Sequence, residues 1–318
     1  MSRTEVETVR GAIPTAELGR TLAHEHIIIL TPDSQTNWAR DWDEEAQVAN
    51  AVERLHELAA TGIKTIVDPT VDGLGRNVAR IGRIAEQVPE LNILVATGIY
   101  TYTEVPHYFT YRLGVPDPMV ELFVRDIREG IQGTGIKAAV LKCAIDEPGL
   151  TPGVERVLRA VALAHKETGT PIMVHTHPVS HTGDAVRRVL TEEGVDPAGV
   201  QLCHSGDSTD ADYLAGLADA GYLLGMDRFG VDLISPFEAR VDIVAEMCRR
   251  GYGSSMVLSQ DANCHIDWGD PALLAMLPNW NYLHVERDVL PALRERGVAE
   301  ADLTAMMVDN PRRWFEGG

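Results

Sequence analysis

Basic residues are scarce in this 318-residue chain: 28 Lys and Arg stand against 47 Asp and Glu, a formal net charge of −19. Nucleic acids and anionic membranes both require basic patches, so neither is an expected partner. Long apolar runs are missing too. The longest, such as residues 27–30, fall far short of a bilayer span, and residues 1–18 hold no apolar stretch of signal-peptide length. Cys143, Cys203, Cys248 and Cys264 are widely spaced and form no C-x-x-C pair. Buried or free thiols in a reducing cytoplasm are the expectation. No G-x-S-x-G is present, which argues against a serine hydrolase. Gly73-x-Gly75 lacks the third glycine and the strand-to-helix setting of a dinucleotide fingerprint.

The composition that remains is globular, 45% hydrophobic and 24% charged, enough for a sizeable core. Short apolar runs recur along it at 19–30, 62–68, 92–98, 136–143, 171–175, 200–204, 222–227 and 255–261. Such near-continuous runs mark strands buried on both faces, as in a parallel sheet. Stretches with apolar residues at helical spacing separate them: 43–60, 77–88, 121–130, 153–167, 184–192, 210–220 and 236–249, with 283–296 and 301–308 closing the chain. Eight strand–helix units predict a closed (β/α)₈ TIM barrel, α/β in class, with residues 1–318 as a single domain. No linker or low-complexity stretch divides it. The connections 100–118 and 263–282 are long, as functional loops are.

Chemistry concentrates where those strands end. His24-Glu25-His26 places two imidazoles on one strand face with Glu25 on the other. Lys142, His175, His204 and Asp261 close the fourth, fifth, sixth and eighth runs. The C-terminal rim of such a barrel is where active sites form, and neutral imidazole with carboxylate suits zinc and its first-row neighbours. Four imidazoles and one carboxylate hold one divalent cation comfortably; a second needs another anionic bridge. A lysine carboxylated at Nζ by carbon dioxide supplies one, whereas an ordinary lysine at 142 would pair with an Asp or Glu. His56 and His165 fall on helices, and His107, His181, His265 and His284 in loops or at helix starts. None of these is assigned to the site; His177, two residues beyond His175, has a pocket mouth within reach as an alternative, but an ordinary loop histidine is the expectation there too.

This ligand pattern resembles the binuclear amidohydrolase superfamily. The runs Leu18-Gly19-Arg20-Thr21, Lys142-Cys143-Ala144-Ile145-Asp146-Glu147-Pro148-Gly149, Gly206-Asp207, Met226-Asp227-Arg228-Phe229-Gly230 and Asp309-Asn310-Pro311 resemble the phosphotriesterase family over essentially the whole chain. Thr97-Gly98-Ile99-Tyr100 and the loop ending Leu277-Pro278-Asn279-Trp280 look most like its lactonases. The resemblance implies hydrolysis of N-acyl homoserine lactones and related lactones, which would silence quorum signals, with weaker action on organophosphate triesters. A phosphotriesterase, or another ester or amide hydrolase on the same metals, is the alternative; a metal-binding barrel without turnover is a remote one.

It further implies two divalent metals, with zinc, cobalt, iron and manganese all suitable. His24, His26 and Asp261 would hold the more buried metal, His175 and His204 the more exposed one, and carboxylated Lys142 would bridge them. A hydroxide shared by the metals would be the nucleophile. Asp261 would shuttle its proton, Tyr100 would hydrogen-bond near hydroxide or lactone, and Trp280 would wall the acyl pocket. For Arg228 the resemblance suggests support of the substrate loop, and a salt bridge with a loop carboxylate is an equal reading. A homodimer is also implied. One departure stands out: family members commonly carry histidine before the strand-eight aspartate, whereas this chain reads Ser259-Gln260-Asp261. Glutamine takes up no proton near neutral pH, which puts a relay through residue 260 in doubt.

Overall fold

In the computed structural model, which describes residues 3–38 and 42–317, the apolar runs become the staves of a barrel. The strands are β1 (Thr21–Leu22), β2 (Thr65–Asp68), β3 (Asn92–Gly98), β4 (Val140–Ala144), β5 (Ile172–His175), β6 (Val200–Cys203), β7 (Leu223–Met226) and β8 (Met256–Leu258). They form one eight-stranded sheet in chain order with parallel ladders throughout. The remaining seam, between β1 and β8, is bridged beyond the strand ends. Asp261 N–H donates to the His24 carbonyl, His26 N–H to that of Ala262, and Cys264 N–H to that of Ile27. Ile28–Ile29 then pairs in parallel with His265–Ile266. The result is a (β/α)₈ barrel.

Helices α1 (Glu44–Ala60), α2 (Val78–Gln87), α3 (Pro118–Arg128), α4 (Pro152–Thr168), α5 (Thr182–Glu192), α6 (Ala211–Asp219), α7 (Phe237–Arg249) and α8 (Leu290–Glu295) follow their strands in turn. Their starts are chemically marked. Asp43, Asn77, Asp117, Thr151 and Asp210 each accept a backbone N–H from the first turn, satisfying donors that have no helical partner.

Inside the barrel, Leu94, Val140, Met173, Cys203, Leu223 and Val257 pack with Val6, Leu18, Trp314 and Phe315. Val6 belongs to an antiparallel hairpin (Glu5–Thr8 with Gly11–Pro14), and Trp314 and Phe315 to the last helical segment (Asn310–Glu316). The hairpin and this helix plug the N-terminal end of the barrel, leaving the C-terminal end for chemistry.

Several expected boundaries move. The run 19–30 is not one strand: ladder pairing stops after Leu22 and resumes at Ile28. The fourth strand begins at Val140 rather than at 136, because Gly130, Gly133 and Gly135, all with positive φ, keep the preceding chain in turns. The closing helix runs past 308 to Glu316, through a π-helical turn at Ala305–Asp309. The N-terminal hairpin has no counterpart in the sequence expectations. Among the described residues no helix is long and apolar enough to cross a membrane, and all four cysteines are free.

Candidate metal centre and active site

At the C-terminal rim a cavity of about 180 Å³ is walled by His24, His26, His175, His204, Asp261, Tyr100, Tyr102, Arg228 and Trp280, with Ile29, Leu74, Val231, Ile234, Ile266 and Trp268 supplying apolar surface. Strand geometry brings these residues together. His24 and His26 follow β1, Tyr100 follows β3, His175 ends β5, and His204, Arg228 and Asp261 follow β6, β7 and β8. Two of them bend the backbone to get there: His204 (φ 63°) and Asp261 (φ 54°) lie in the left-handed region. For side chains of this kind that conformation costs on the order of 1–3 kcal/mol and persists where the surroundings enforce it. Gly98, at the end of β3, is required for a different reason. A Cβ there would fall 1.8 Å from the carbonyl oxygen of Lys142, so only glycine lets β3 and β4 approach beside that lysine.

Proton accounting shows what the four imidazoles are prepared for. His24 Nδ1 donates to Asp227 Oδ2 at 2.9 Å, and His204 Nδ1 donates to Asp227 Oδ1 at 3.0 Å. His26 Nδ1 donates at 2.7 Å to Thr70 Oγ1, whose own hydroxyl donates to Asp68 Oδ1. His175 Nε2 donates to Asp146 Oδ2. Burial pushes His24, His26 and His204 well below the ordinary histidine range and His175 to about 4, so each ring is neutral at pH 7 and has one proton to give. That proton is spent. The opposite nitrogens therefore present lone pairs: His24 Nε2 and His26 Nε2 to Asp261 Oδ1 at 3.3 and 3.4 Å, and His175 Nδ1 to His204 Nε2 at 2.9 Å. Lone pairs converging on one another repel, and a cation between them removes the conflict.

His24, His26 and Asp261 form one cluster able to hold a metal ion; His24, His204 and Asp227 form another. The second is better read as support. Asp227 is fully buried, does not line the cavity, and is already engaged by the Nδ1–H groups of both histidines and the His204 backbone N–H. Burial raises its carboxyl to about 7.

Lys142 is fully buried, and the partner of its Nζ is Cys203 Sγ at 3.7 Å. The pairing with Asp or Glu that an ordinary lysine would make is absent among the described residues. Burying an ammonium without a directly hydrogen-bonded carboxylate is costly.

Arg228 joins the two halves of the rim. Its Nη1 donates to Asp207 Oδ2 at 2.9 Å, and its Nε lies 3.5 Å from Asp261 Oδ2. Burial opposes its charge, but Asp207 and Asp261 outweigh that and raise its pKa. The salt-bridge reading of Arg228 is thus realised with Asp207, while the residue also lines the cavity. Asp207 Oδ1 is held by the buried Arg240, whose Nη1 grips the carbonyls of Val231 and Ser235 and so pins the loop after β7. Tyr100 places its hydroxyl 3.1 Å from His175 Nδ1 and 2.5 Å from that of Tyr102. Burial raises the Tyr100 phenol well above its ordinary value, so it remains a neutral donor. Trp280 Nε1 donates to the Asp261 carbonyl at 2.8 Å, tying the wall of the cavity to the carboxylate beside it.

Two residues that the sequence left open are placed here. Gln260 does not face the cavity: its Nε2 donates to Glu25 Oε1 and the Tyr282 carbonyl, and its Oε1 accepts from Val285 N–H. The side chain at position 260 is thus directed into the seam and not toward the cavity. His177 does not reach the cavity either; its Nδ1 pairs with Ser180 Oγ at 2.8 Å. Conversely, the sequence reading assigned no role to Asp146, Asp207 or Asp227, although all three stand inside the motif runs that carry the resemblance. Tyr102, Thr70 and Asp68 carried no signal beyond proximity to named residues.

A (β/α)₈ barrel with neutral imidazoles, a carboxylate and a buried lysine converging at its C-terminal rim defines a barrel enzyme of the hydrolase class. The chain belongs to the phosphotriesterase family, whose model matches residues 4–315. It is 56% identical over 319 residues to a phosphotriesterase homology protein of Mycobacterium tuberculosis, covering 98% of each chain. It is 38% identical over 309 residues to an aryldialkylphosphatase of Saccharolobus solfataricus, covering 96% of this chain and 98% of that one. A solved structure, described as that of the phosphotriesterase from Mycobacterium tuberculosis, matches with a TM-score of 0.96 and 56% identity over 98% of both chains. The family expected from the sequence motifs is thereby borne out.

Proposed function

We propose that this hydrolase is a lactonase, opening N-acyl homoserine lactones and related lactones, with organophosphate triesters as poorer substrates. The observation that carries the reading is the Tyr100 hydroxyl, a neutral donor poised 3.1 Å from His175 Nδ1 above the histidine pair. It is placed to hydrogen-bond a lactone oxygen, while Ile29, Leu74, Val231 and Ile266 offer an acyl chain an apolar path. We assign His24, His26 and Asp261 to one divalent ion, His175 and His204 to a second, and Nζ-carboxylated Lys142 to the bridge, with zinc the preferred metal. When bound, such a pair supplies Lewis acidity and an activated water, the two requirements of ester cleavage at neutral pH.

The side chains do the rest. Asp261 turns Oδ1 to the histidines and leaves Oδ2 toward Arg228, where it takes a proton and returns it to the departing alkoxide. Burial raises the Asp261 carboxyl, bringing it closer to a working proton carrier. Arg228 orients Oδ2 and adds positive potential at the substrate, and Trp280 closes the acyl side. We assign the whole chain to one domain and, because thiols stay reduced there, to the cytoplasm. The exposed apolar side chains Tyr108, Tyr111, Leu113 and Val115 favour a homodimer.

The second reading, a triesterase, draws support from the aryldialkylphosphatase relative. A pH-indicator assay on metal-loaded protein separates them, using homoserine lactones of several acyl lengths, simple γ- and δ-lactones and an aryl phosphotriester, with His24→Ala as control. Lactones should lead in kcat/KM by at least about tenfold, roughly 1.4 kcal/mol in barrier. A lead for the triester would replace this reading with the second.

A further inference from the structure

Glu25 stands between two candidate ligands, yet its side chain turns away from the cavity into the seam between β1 and β8, where it is fully buried. Four donors meet it there. Oε1 accepts from Ser259 Oγ at 2.9 Å, from Gln260 N–H at 2.9 Å and from Gln260 Nε2 at 3.2 Å. Oε2 accepts from Ala262 N–H at 2.9 Å. Residues 260 and 262 flank Asp261, so one carboxylate grips the backbone on both sides of it. The Asp261 N–H is taken by the His24 carbonyl at 3.1 Å, and Ser259 Oγ accepts from the His24 N–H at 3.0 Å.

This is also where the sheet lacks a ladder. β8 ends at Leu258, and the φ of 54° at Asp261 turns the chain out of strand geometry. Nothing in a regular ladder would hold the N–H groups of 260 and 262 across such a kink. The Glu25 carboxylate does so in place of a strand partner.

We propose that Glu25 is a positioning residue for the metal centre: it clamps residues 260–262 so that Asp261, in its left-handed conformation, aims Oδ1 at the Nε2 atoms of His24 and His26. The role rests on the reading of His24, His26 and Asp261 as ligands of one cation. It makes the residue between the two histidines as much a part of the centre as they are, although it contacts no metal and no substrate. Partners that orient ligands commonly tune metal affinity by roughly 10–100-fold.

Glu25→Gln keeps the volume but sets an amide NH₂ against backbone donors. The test titrates metal-stripped wild type, Glu25→Gln and His24→Ala with Co²⁺, reading the visible absorption bands and the affinity, alongside the thermal midpoints of the metal-free proteins. The expected result is a roughly 10–100-fold weaker Co²⁺ affinity in Glu25→Gln with altered bands. Wild-type affinity and bands, with only a lower midpoint, would show a merely structural carboxylate and overturn the proposal. A wild type that binds no Co²⁺ overturns the ligand reading, and this role with it. Should Glu25→Gln fail to fold, Ser259→Ala carries the same test. That variant deletes one donor to the carboxylate, and a several-fold weaker Co²⁺ affinity is expected while an unchanged one overturns the clamp.

Discussion

His175 Nδ1 and His204 Nε2 face each other at 2.9 Å with no ring proton left to share, because His175 Nε2 serves Asp146 and His204 Nδ1 serves Asp227. Among the described residues, the Tyr100 hydroxyl is the donor within reach of that gap, at 3.1 Å from His175 Nδ1. A cation between the two nitrogens would remove their lone-pair conflict. Stripping the protein with a chelator should lower its thermal midpoint, and Zn²⁺ or Co²⁺ should restore it. At metal concentrations of 100 times Kd the gain is about 2.7 kcal/mol. A midpoint indifferent to chelator would count against this arrangement.

Asp227 holds one histidine from each candidate metal position. In Asp227→Asn one of the two Nδ1–H groups must confront an amide NH₂, so one ring changes tautomer and presents N–H where a lone pair is needed. Metal affinity should fall by roughly 10–100-fold, with kcat falling in step at subsaturating metal. Metal analysis after dialysis, together with initial rates, checks this. Affinity equal to that of wild type would mean the two tautomers are set elsewhere.

Gln260→His introduces a titratable ring that faces Glu25 and the Tyr282 carbonyl rather than the cavity. The pH–rate profile should keep its shape. The cost should appear in stability, at about 1–3 kcal/mol for the buried hydrogen bonds lost to Tyr282 and Val285. Denaturant unfolding and rate profiles on the same preparation test both halves. A new limb in the profile would reinstate a relay through residue 260.

Away from the centre, Glu44 in the first turn of α1 takes a bidentate hydrogen bond from Arg80 on α2. That bond, ahead of any other influence, holds the Glu44 carboxyl below its ordinary value of 4.5. A carboxyl with a depressed folded pKa adds stability that is present above the unfolded pKa and lost as pH falls through the folded one. Glu44→Gln should therefore lower the thermal midpoint at pH 7, and the gap from wild type should close as the pH drops below about 4. A gap that stays constant from pH 7 to pH 3 would contradict the ion pair's contribution.

The barrel was legible because parallel strands buried on both faces must be apolar at nearly every position, and helices between them must not be. The rim histidines were legible because each ends such a run. What stayed hidden depends on closing the barrel. Asp227 meets His24 across 203 positions of sequence, and Glu25 meets Ser259 across 234. No local periodicity encodes a side chain that substitutes for a missing ladder, so Gln260 looked like an active-site departure when it is a seam residue. The run 19–30 misled in the same way: its alternation is that of a strand, but residues 23–27 spend their backbone groups on β2 and on the chain beyond β8. The N-terminal hairpin escaped notice because its apolar content is slight, with Val6 and the partly buried Ile13 being what it commits to the barrel interior.

The most direct measurement is the metal content of purified protein by mass spectrometry of the elements, for wild type and for His204→Ala, with hydrolysis rates from the same samples. Two equivalents per chain in the wild type are expected, falling to one in His204→Ala. The variant's loss of kcat/KM should be at least about 100-fold, since a Lewis-acid contact is worth several kcal/mol at the transition state. Full activity in wild-type protein carrying no metal, or in a variant that has lost it, would contradict the metal centre on which the proposed function rests.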